Sequence, residues 1–167
     1  MPWVGPLPTR FASPGVLYRS PMETLLVERN AGVVTITLNR PAVKNAMNGL
    51  LWEELLATLN SIAVDPADRV VVITGAGGDF CSGADLSNGG VFAGPRHMTF
   101  TMHQINQVPL ALHRLPKPTI AKVSGVAAGA GANLALGCDL IVFGEGARFT
   151  EIFANKSLCG RTTQEKR

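Results

Sequence analysis

Apolar and polar positions fall into a repeating pattern from Met22 onward. Two β-rich runs, Thr24–Arg29 and Val33–Asn39, flank Asn30-Ala31-Gly32, whose turn residues predict a hairpin. In the second run Val34, Ile36 and Leu38 alternate with Thr35 and Thr37, so one strand face is expected to be buried. Arg40-Pro41 stops that strand. Leu51, Leu55, Leu59 and Ile62 then recur at helical spacing, with Glu53 and Glu54 on the outer face. Asn45 or Asn48 supplies the N-cap oxygen, and Asp65-Pro66 ends the helix.

Val70–Thr74 is a short continuous apolar run, as expected of a strand covered on both faces. Gly75-Ala76-Gly77-Gly78-Asp79 follows, then Phe80-Cys81-Ser82-Gly83-Ala84-Asp85-Leu86 and a polar, Gly-rich loop to about Arg96. Met98–Leu115 reads as a helix interrupted only by Pro109, and Pro116 and Pro118 break it. Thr119–Ser124 is a further strand. The stretch Gly125–Ala132 opens a small-residue helix through Leu136, and Leu140–Phe143 and Ala147–Thr150 read as strands. The order, ββα followed by β–Gly loop–α units, is that of an α/β chain.

With 46% apolar and 16% charged residues the chain is too apolar for intrinsic disorder. Its net charge of +3 is carried by the ends: residues 1–21 contribute +2, residues 155–167 contribute +3, and residues 22–154 carry −2. That removes the basic stripe a nucleic-acid binder needs. Residues 1–21 hold five prolines and no continuous apolar stretch, so they read as a disordered Pro-rich extension rather than a signal or transit peptide. The longest uncharged run, Val123–Cys138, is 16 residues, shorter than the roughly 20 a membrane span needs. Cys81, Cys138 and Cys159 lack CxxC spacing and read as small buried hydrophobes in a reducing compartment. His97, His103 and His113 have no metal-ligand spacing and read as exposed or capping side chains. A cytoplasmic protein without a metal or separate cofactor is the expectation.

The two glycine loops, after Thr74 and after Ser124, share one grammar: a buried strand, small residues, a helix start. Glycine lets a ligand approach the backbone, and helix starts expose unpaired N–H groups. Such loops also serve tight turns and close helix–sheet packing alone. Neither completes GxGxxG, no P-loop follows a strand, and Ser82 has no nucleophile-elbow context, which disfavours a Rossmann oxidoreductase, a P-loop protein or a nucleophile-elbow hydrolase. Backbone donors without a covalent nucleophile suit stabilisation of an oxyanion.

Four segments carry a family resemblance: Leu38-Asn39-Arg40-Pro41-Ala42-Val43-Lys44-Asn45-Ala46-Met47, Gly78-Asp79-Phe80-Cys81-Ser82-Gly83-Ala84-Asp85-Leu86, Lys117-Pro118-Thr119-Ile120-Ala121-Lys122-Val123-Ser124-Gly125 and Gly137-Cys138-Asp139-Leu140-Ile141. In order and spacing they resemble the enoyl-CoA hydratase/isomerase (crotonase) family over residues 22–154. The resemblance implies an α/β spiral of ββα units, the N-terminal part of the ClpP/crotonase fold. It implies a lyase or isomerase of fatty-acid metabolism that acts on an acyl-CoA thioester, with CoA part of the substrate. It also implies a homotrimer or hexamer in the complete parent, and no nucleic-acid or membrane partner.

By the resemblance the thioester carbonyl is held by two backbone N–H groups, which map to Ala84 and to Ala130, beside Gly131 at the helix start. Lys44, Ala46, Ala84, Asp85 and Leu86 map to CoA contacts; Lys44 pairs with a CoA phosphate or is a solvated loop lysine. Hydratases of the family use two glutamates. The first position is Asn133 here, and an amide cannot take a proton from water. The second falls near Phe153, with Glu151 the nearest carboxylate, either an acid/base group or a surface residue. The resemblance stops near Ala154, and residues 155–167 read as an unrelated basic tail. A truncated product with little or no activity is therefore expected. The alternative is a non-catalytic interaction protein that pairs with full-length subunits of the family.

Overall fold

The computed structural model describes residues 22–87 and 98–151. The Pro-rich stretch 1–21, His97, Phe153, Cys159 and the basic tail lie outside the described residues. β1 (Leu25–Asn30) and β2 (Val33–Leu38) form the expected hairpin. Its two-residue turn, Ala31 and Gly32, has φ of +48° and +84°, the left-handed pair that matches the twist of the strands. Val34, Ile36 and Leu38 are buried, as their alternation requires.

α1 (Gly49–Val64) buries Leu51, Leu55, Leu59 and Ile62 in one core cluster with those three β2 side chains. Each such fully buried side chain contributes about 1.5–3 kcal/mol. The cap is Asn48, whose side chain accepts the Leu51 N–H; Asn45 is used elsewhere. Lys117 closes the far end, its ammonium donating to the carbonyls of Ile62 and Asp65. Glu54 does not belong to an outer face. Its half-buried carboxylate accepts the N–H groups of Glu23 and Thr24 and the Thr24 hydroxyl, and so pins the start of β1 onto α1.

The remaining elements are β3 (Val70–Gly75), α2 (Met98–His113), β4 (Thr119–Val123), β5 (Val126–Ala128), α3 (Ala130–Leu136), β6 (Leu140–Phe143) and β7 (Arg148–Thr150). β3 is buried on one face through Val71 and Ile73, while Val70, Val72 and Thr74 are only half-covered, so the expectation of full cover on both faces fails. α2 continues through Pro109 rather than breaking there. The small-residue stretch after Gly125 is not helical from its start. Val126–Ala128 is extended because it pairs with other strands, and the helix opens only at Ala130.

The main sheet has the order β1-β2-β3-β4-β6, with β2, β3, β4 and β6 parallel. A second ladder runs beside it. Met47 bridges Ala84, Cys81 bridges Ala127, and β5 pairs with β7, all parallel. Each of β2, β3, β4 and β6 is thus followed by a short segment of the ladder, and after each of the first three ladder segments comes a helix. The described residues make three turns of a ββα spiral, starting at β2, β3 and β4, and the two strands of a fourth, starting at β6. The third and fourth turns are clipped where β4 and β6 begin. The Asp139 carboxylate accepts the Thr119 N–H and hydroxyl at 2.8 Å each, and the Asp139 N–H returns to that hydroxyl at 2.9 Å.

Candidate functional site

The ladder is where the two glycine loops meet. The first leaves β3 through Ala76–Gly78 and runs into the extended segment 81–85. That segment is held on both sides. On one, Met47 N–H bonds Gly83 O at 2.8 Å, Asp85 N–H bonds Met47 O at 3.0 Å, and Ser82 N–H bonds Lys44 O at 2.9 Å. On the other, Cys81 N–H bonds Val126 O and Ala128 N–H bonds Cys81 O, both at 2.9 Å. Pairing through the Gly83 carbonyl and the Asp85 amide directs the intervening Ala84 N–H to the opposite edge, the one facing the second loop.

The second loop turns from β5 into α3 at Gly129, with φ of +50°. The first backbone bond inside α3 is Asn133 N–H to Gly129 O, so Ala130 and Gly131 have no acceptor within the helix. Among the described residues neither the Ala84 nor the Ala130 N–H donates to a protein acceptor. The loops are in backbone contact. A Cβ on Gly83 would stand 2.9 Å from Ala128 O and 3.5 Å from Ala130 N. One on Gly131 would stand 2.4 Å from Cys81 O. Gly131 is thus needed for close approach, and the glycines of both loops serve packing of one loop on the other.

The other residues singled out from the sequence surround this junction. Lys44 is left-handed, φ +51°, with its side chain 61% exposed and its ammonium 3.7 Å from the Asp79 carboxylate, a loose ion pair. Ala46 is buried, and its carbonyl accepts from the Arg40 guanidinium. Asp85 is buried too. Its carboxylate accepts from Ser87 Oγ at 2.7 Å, from the Ser87 N–H at 3.1 Å and from Arg40 Nη1 at 3.0 Å. Its side chain therefore ties segments 40–46 and 84–87 together. Leu86 beside it is exposed.

Asn133, on the first turn of α3, is exposed. Glu151 is exposed and follows Thr150, whose carbonyl accepts the Gly129 N–H at 3.0 Å; its backbone comes next to the α3 start. Cys81 and Cys138 are buried, which pushes their thiols up to about 11 and about 12. His103 and His113 are exposed. Among the described residues no cluster of metal-ligating side chains forms, and no helix is long and apolar enough to cross a membrane. Asn45, Asp79 and Arg40, which hold the junction together, were missed by sequence reasoning. The one signal was that all three lie in the motif segments.

Two carboxylates tie this framework together with lowered pKa values. The Ser87 hydroxyl, with Arg40, holds Asp85 below the ordinary aspartate value of 3.8, and the Thr119 hydroxyl and N–H do the same for Asp139. An unfolded chain binds protons at these groups before the native one does, so their contribution is complete above the ordinary value. It is lost as pH falls through the native values. The denaturant midpoint is expected to be flat above about pH 5 and to fall below about pH 4. Asp85→Asn should remove part of that fall, and an unchanged acid profile in this variant would contradict its share.

The architecture defines a class: a ββα spiral in which two glycine loops meet in backbone contact on an inner ladder. The chain belongs to the enoyl-CoA hydratase/isomerase family, whose model matches residues 28–162. It is 39% identical over 147 residues to the 1,2-epoxyphenylacetyl-CoA isomerase of Escherichia coli K12, covering 84% of this chain and 56% of that protein. It is 41% identical over 129 residues to the 2,3-dehydroadipyl-CoA hydratase of the same organism, covering 77% and 49%. The crystal structure of an enoyl-CoA hydratase from Mycobacterium smegmatis superposes with a TM-score of 0.74 at 38% identity, covering 81% of this chain and 53% of that one. The chain spans about half the length of these curated relatives. The α/β spiral expected from the resemblance is the fold observed.

Proposed function

We propose that this chain binds an acyl-CoA thioester and polarises its carbonyl through the Ala84 and Ala130 N–H groups. The observation that carries the reading is that, among the described residues, neither N–H group has a protein acceptor where the two loops touch. When an α-proton leaves, or hydroxide adds at the β-carbon, negative charge grows on the thioester oxygen, and two preset donors stabilise that charge more than the neutral carbonyl. Both roles are main-chain, so the alanine side chains cost nothing. The first turn of α3 adds a small favourable potential. CoA and the acyl group arrive together as substrate, and no separate cofactor enters.

Isotope-edited infrared spectroscopy of carbonyl-labelled butyryl-CoA tests this directly. The bound carbonyl band is expected at lower frequency than the free one. Binding with an unshifted band would overturn the proposal.

Lys44 is the candidate partner for a CoA phosphate. Its loose pairing with Asp79 and high exposure leave it free to swing to a stronger anion. Lys44→Glu is expected to weaken CoA affinity about five- to tenfold at low salt, with the gap closing as salt rises. Equal affinities across a salt series would assign Lys44 to solvent alone.

A second reading is favoured by the exposed apolar side chains of the last turns, Leu136, Leu140, Val142 and Phe143. In it the chain pairs with a longer subunit of the same family, in the manner of the family's trimers and hexamers. Co-expression with such a subunit and co-purification tests it; separate elution of the two chains counts against it.

A further inference from the structure

We propose that Asn45 and Asp79 are positioning residues, a relay of one buried amide and one carboxylate that fixes the second glycine loop on the first and so sets the spacing of the Ala84 and Ala130 N–H groups. The proposal rests on the thioester reading above for its functional consequence, but its geometry stands on the two side chains alone.

Asn45 is wholly buried and left-handed, with φ of +56°, a conformation asparagine tolerates better than most residues. Its amide makes three of its four possible bonds. Oδ1 accepts the Arg40 N–H at 2.9 Å, and Nδ2 donates to Ala76 O at 2.9 Å and Asp79 O at 2.8 Å. Gly75 is pressed against it: a Cβ there would stand 2.7 Å from Nδ2. One amide thus fastens the strand-to-helix connection of the first turn to the glycine loop of the second.

Asp79, its backbone held in this way, reaches on to the third turn. Its Oδ1 accepts the Val126 N–H at 2.9 Å, at the first residue of β5. Gly125 closes under it, since a Cβ there would stand 2.5 Å from the same oxygen. Ala84 lies five residues beyond Asp79, and Ala130 lies four beyond Val126. The donors therefore hang from the two ends of a single carboxylate bridge. β5 has three residues and its contact with segment 81–85 is one bridge, so backbone pairing alone gives weak control of register. A bond to a charged acceptor is stronger than one between neutral groups. Asp79 contributes no apolar contact to the core, so its removal leaves the hydrophobic packing intact.

The test compares Asp79→Ala and Asp79→Asn with the unaltered chain. Two readouts are amide hydrogen exchange at Cys81 and Ala128, and the carbonyl band of bound butyryl-CoA. Asp79→Ala is expected to speed exchange at both amides about tenfold relative to the β2–β3 amides. It should also remove most of the carbonyl shift at saturating ligand. Asp79→Asn keeps an acceptor oxygen and should recover most of both. An Asp79→Ala chain with unchanged exchange overturns the relay, whatever the ligand does. Faster exchange with the full carbonyl shift retained overturns its role in spacing the donors. If the unaltered chain binds butyryl-CoA without a shift, the thioester reading falls and takes the functional consequence with it. The exchange data then decide the relay by themselves.

Discussion

Gly131→Ala is expected to destabilise the protein by about 3 kcal/mol, at the upper end of the range for overpacking. At this chain size that lowers Tm by about 6–12 °C. The added methyl has nowhere to go. Its carbon would stand 2.4 Å from Cys81 O, 2.6 Å from Cys81 Cβ and 2.8 Å from Cys81 Sγ. Two of these are not the ends of flexible side chains: one is a ladder carbonyl that accepts the Ala128 N–H, and the other is the Cβ fixed to that backbone. Relief therefore requires α3 to move off segment 81–85, which separates the loops and carries the Ala130 N–H away from Ala84. Loss of the thioester carbonyl shift should accompany the loss of stability.

The control is Gly49→Ala, at the first residue of α1, where an added Cβ meets nothing within 4 Å. There the smaller conformational freedom of alanine in the unfolded chain should leave stability unchanged or raise it by about 0.5 kcal/mol. Equal melting temperatures for the two variants would show that the loops are not in the close contact described.

What could be seen in the sequence, and what could not, divides along the same lines. β2 and α1 were legible because each buries one face, and burial imposes period two on Val34–Leu38 and helical spacing on Leu51–Ile62. β5 was not legible. Val126-Ala127-Ala128 has no polar alternation and small side chains, and it is extended because Cys81 supplies partners from a distant part of the chain. Asn45 looked like a cap because asparagine before a helix usually is one. Its amide is claimed instead by carbonyls about thirty residues away, and only the folded chain brings them within reach. Helical period predicts an outer face for Glu54, yet the start of β1 crosses that face and uses the carboxylate. The positions of the main-chain donors were available only through the family resemblance, since no side-chain chemistry marks an N–H. The fold is compatible with the proposed donors: parallel pairing turns the Ala84 N–H to one edge, and the α3 start gives the Ala130 N–H no acceptor among the described residues.

The largest expected effect concerns water. Crotonyl-CoA hydration by this chain is expected at or near the uncatalysed background even where the carbonyl is polarised. Polarisation and proton removal are separate tasks, and a positioned general base contributes typically about 10²–10⁴-fold. At the place where the family resemblance puts the first carboxylate, on the first turn of α3, the chain has Asn133. Its amide can hold a water by hydrogen bonds, but it takes no proton at neutral pH. Asn133→Glu is therefore expected to raise the hydration rate by at least about tenfold, short of the full base term because the second carboxylate is not restored. Asn133→Gln, with the same length and no base, should leave the rate at background. The measurement is the loss of enoyl absorbance on addition of water, with exchange of the α-proton of butyryl-CoA into heavy water as a second channel. Exchange without hydration would point to a base that reaches the α-carbon and not the β-face. Glu151, next to the residue that bonds Gly129, is then the group to replace by glutamine. Rapid hydration by the unaltered chain would overturn the division, because it would require a base other than residue 133.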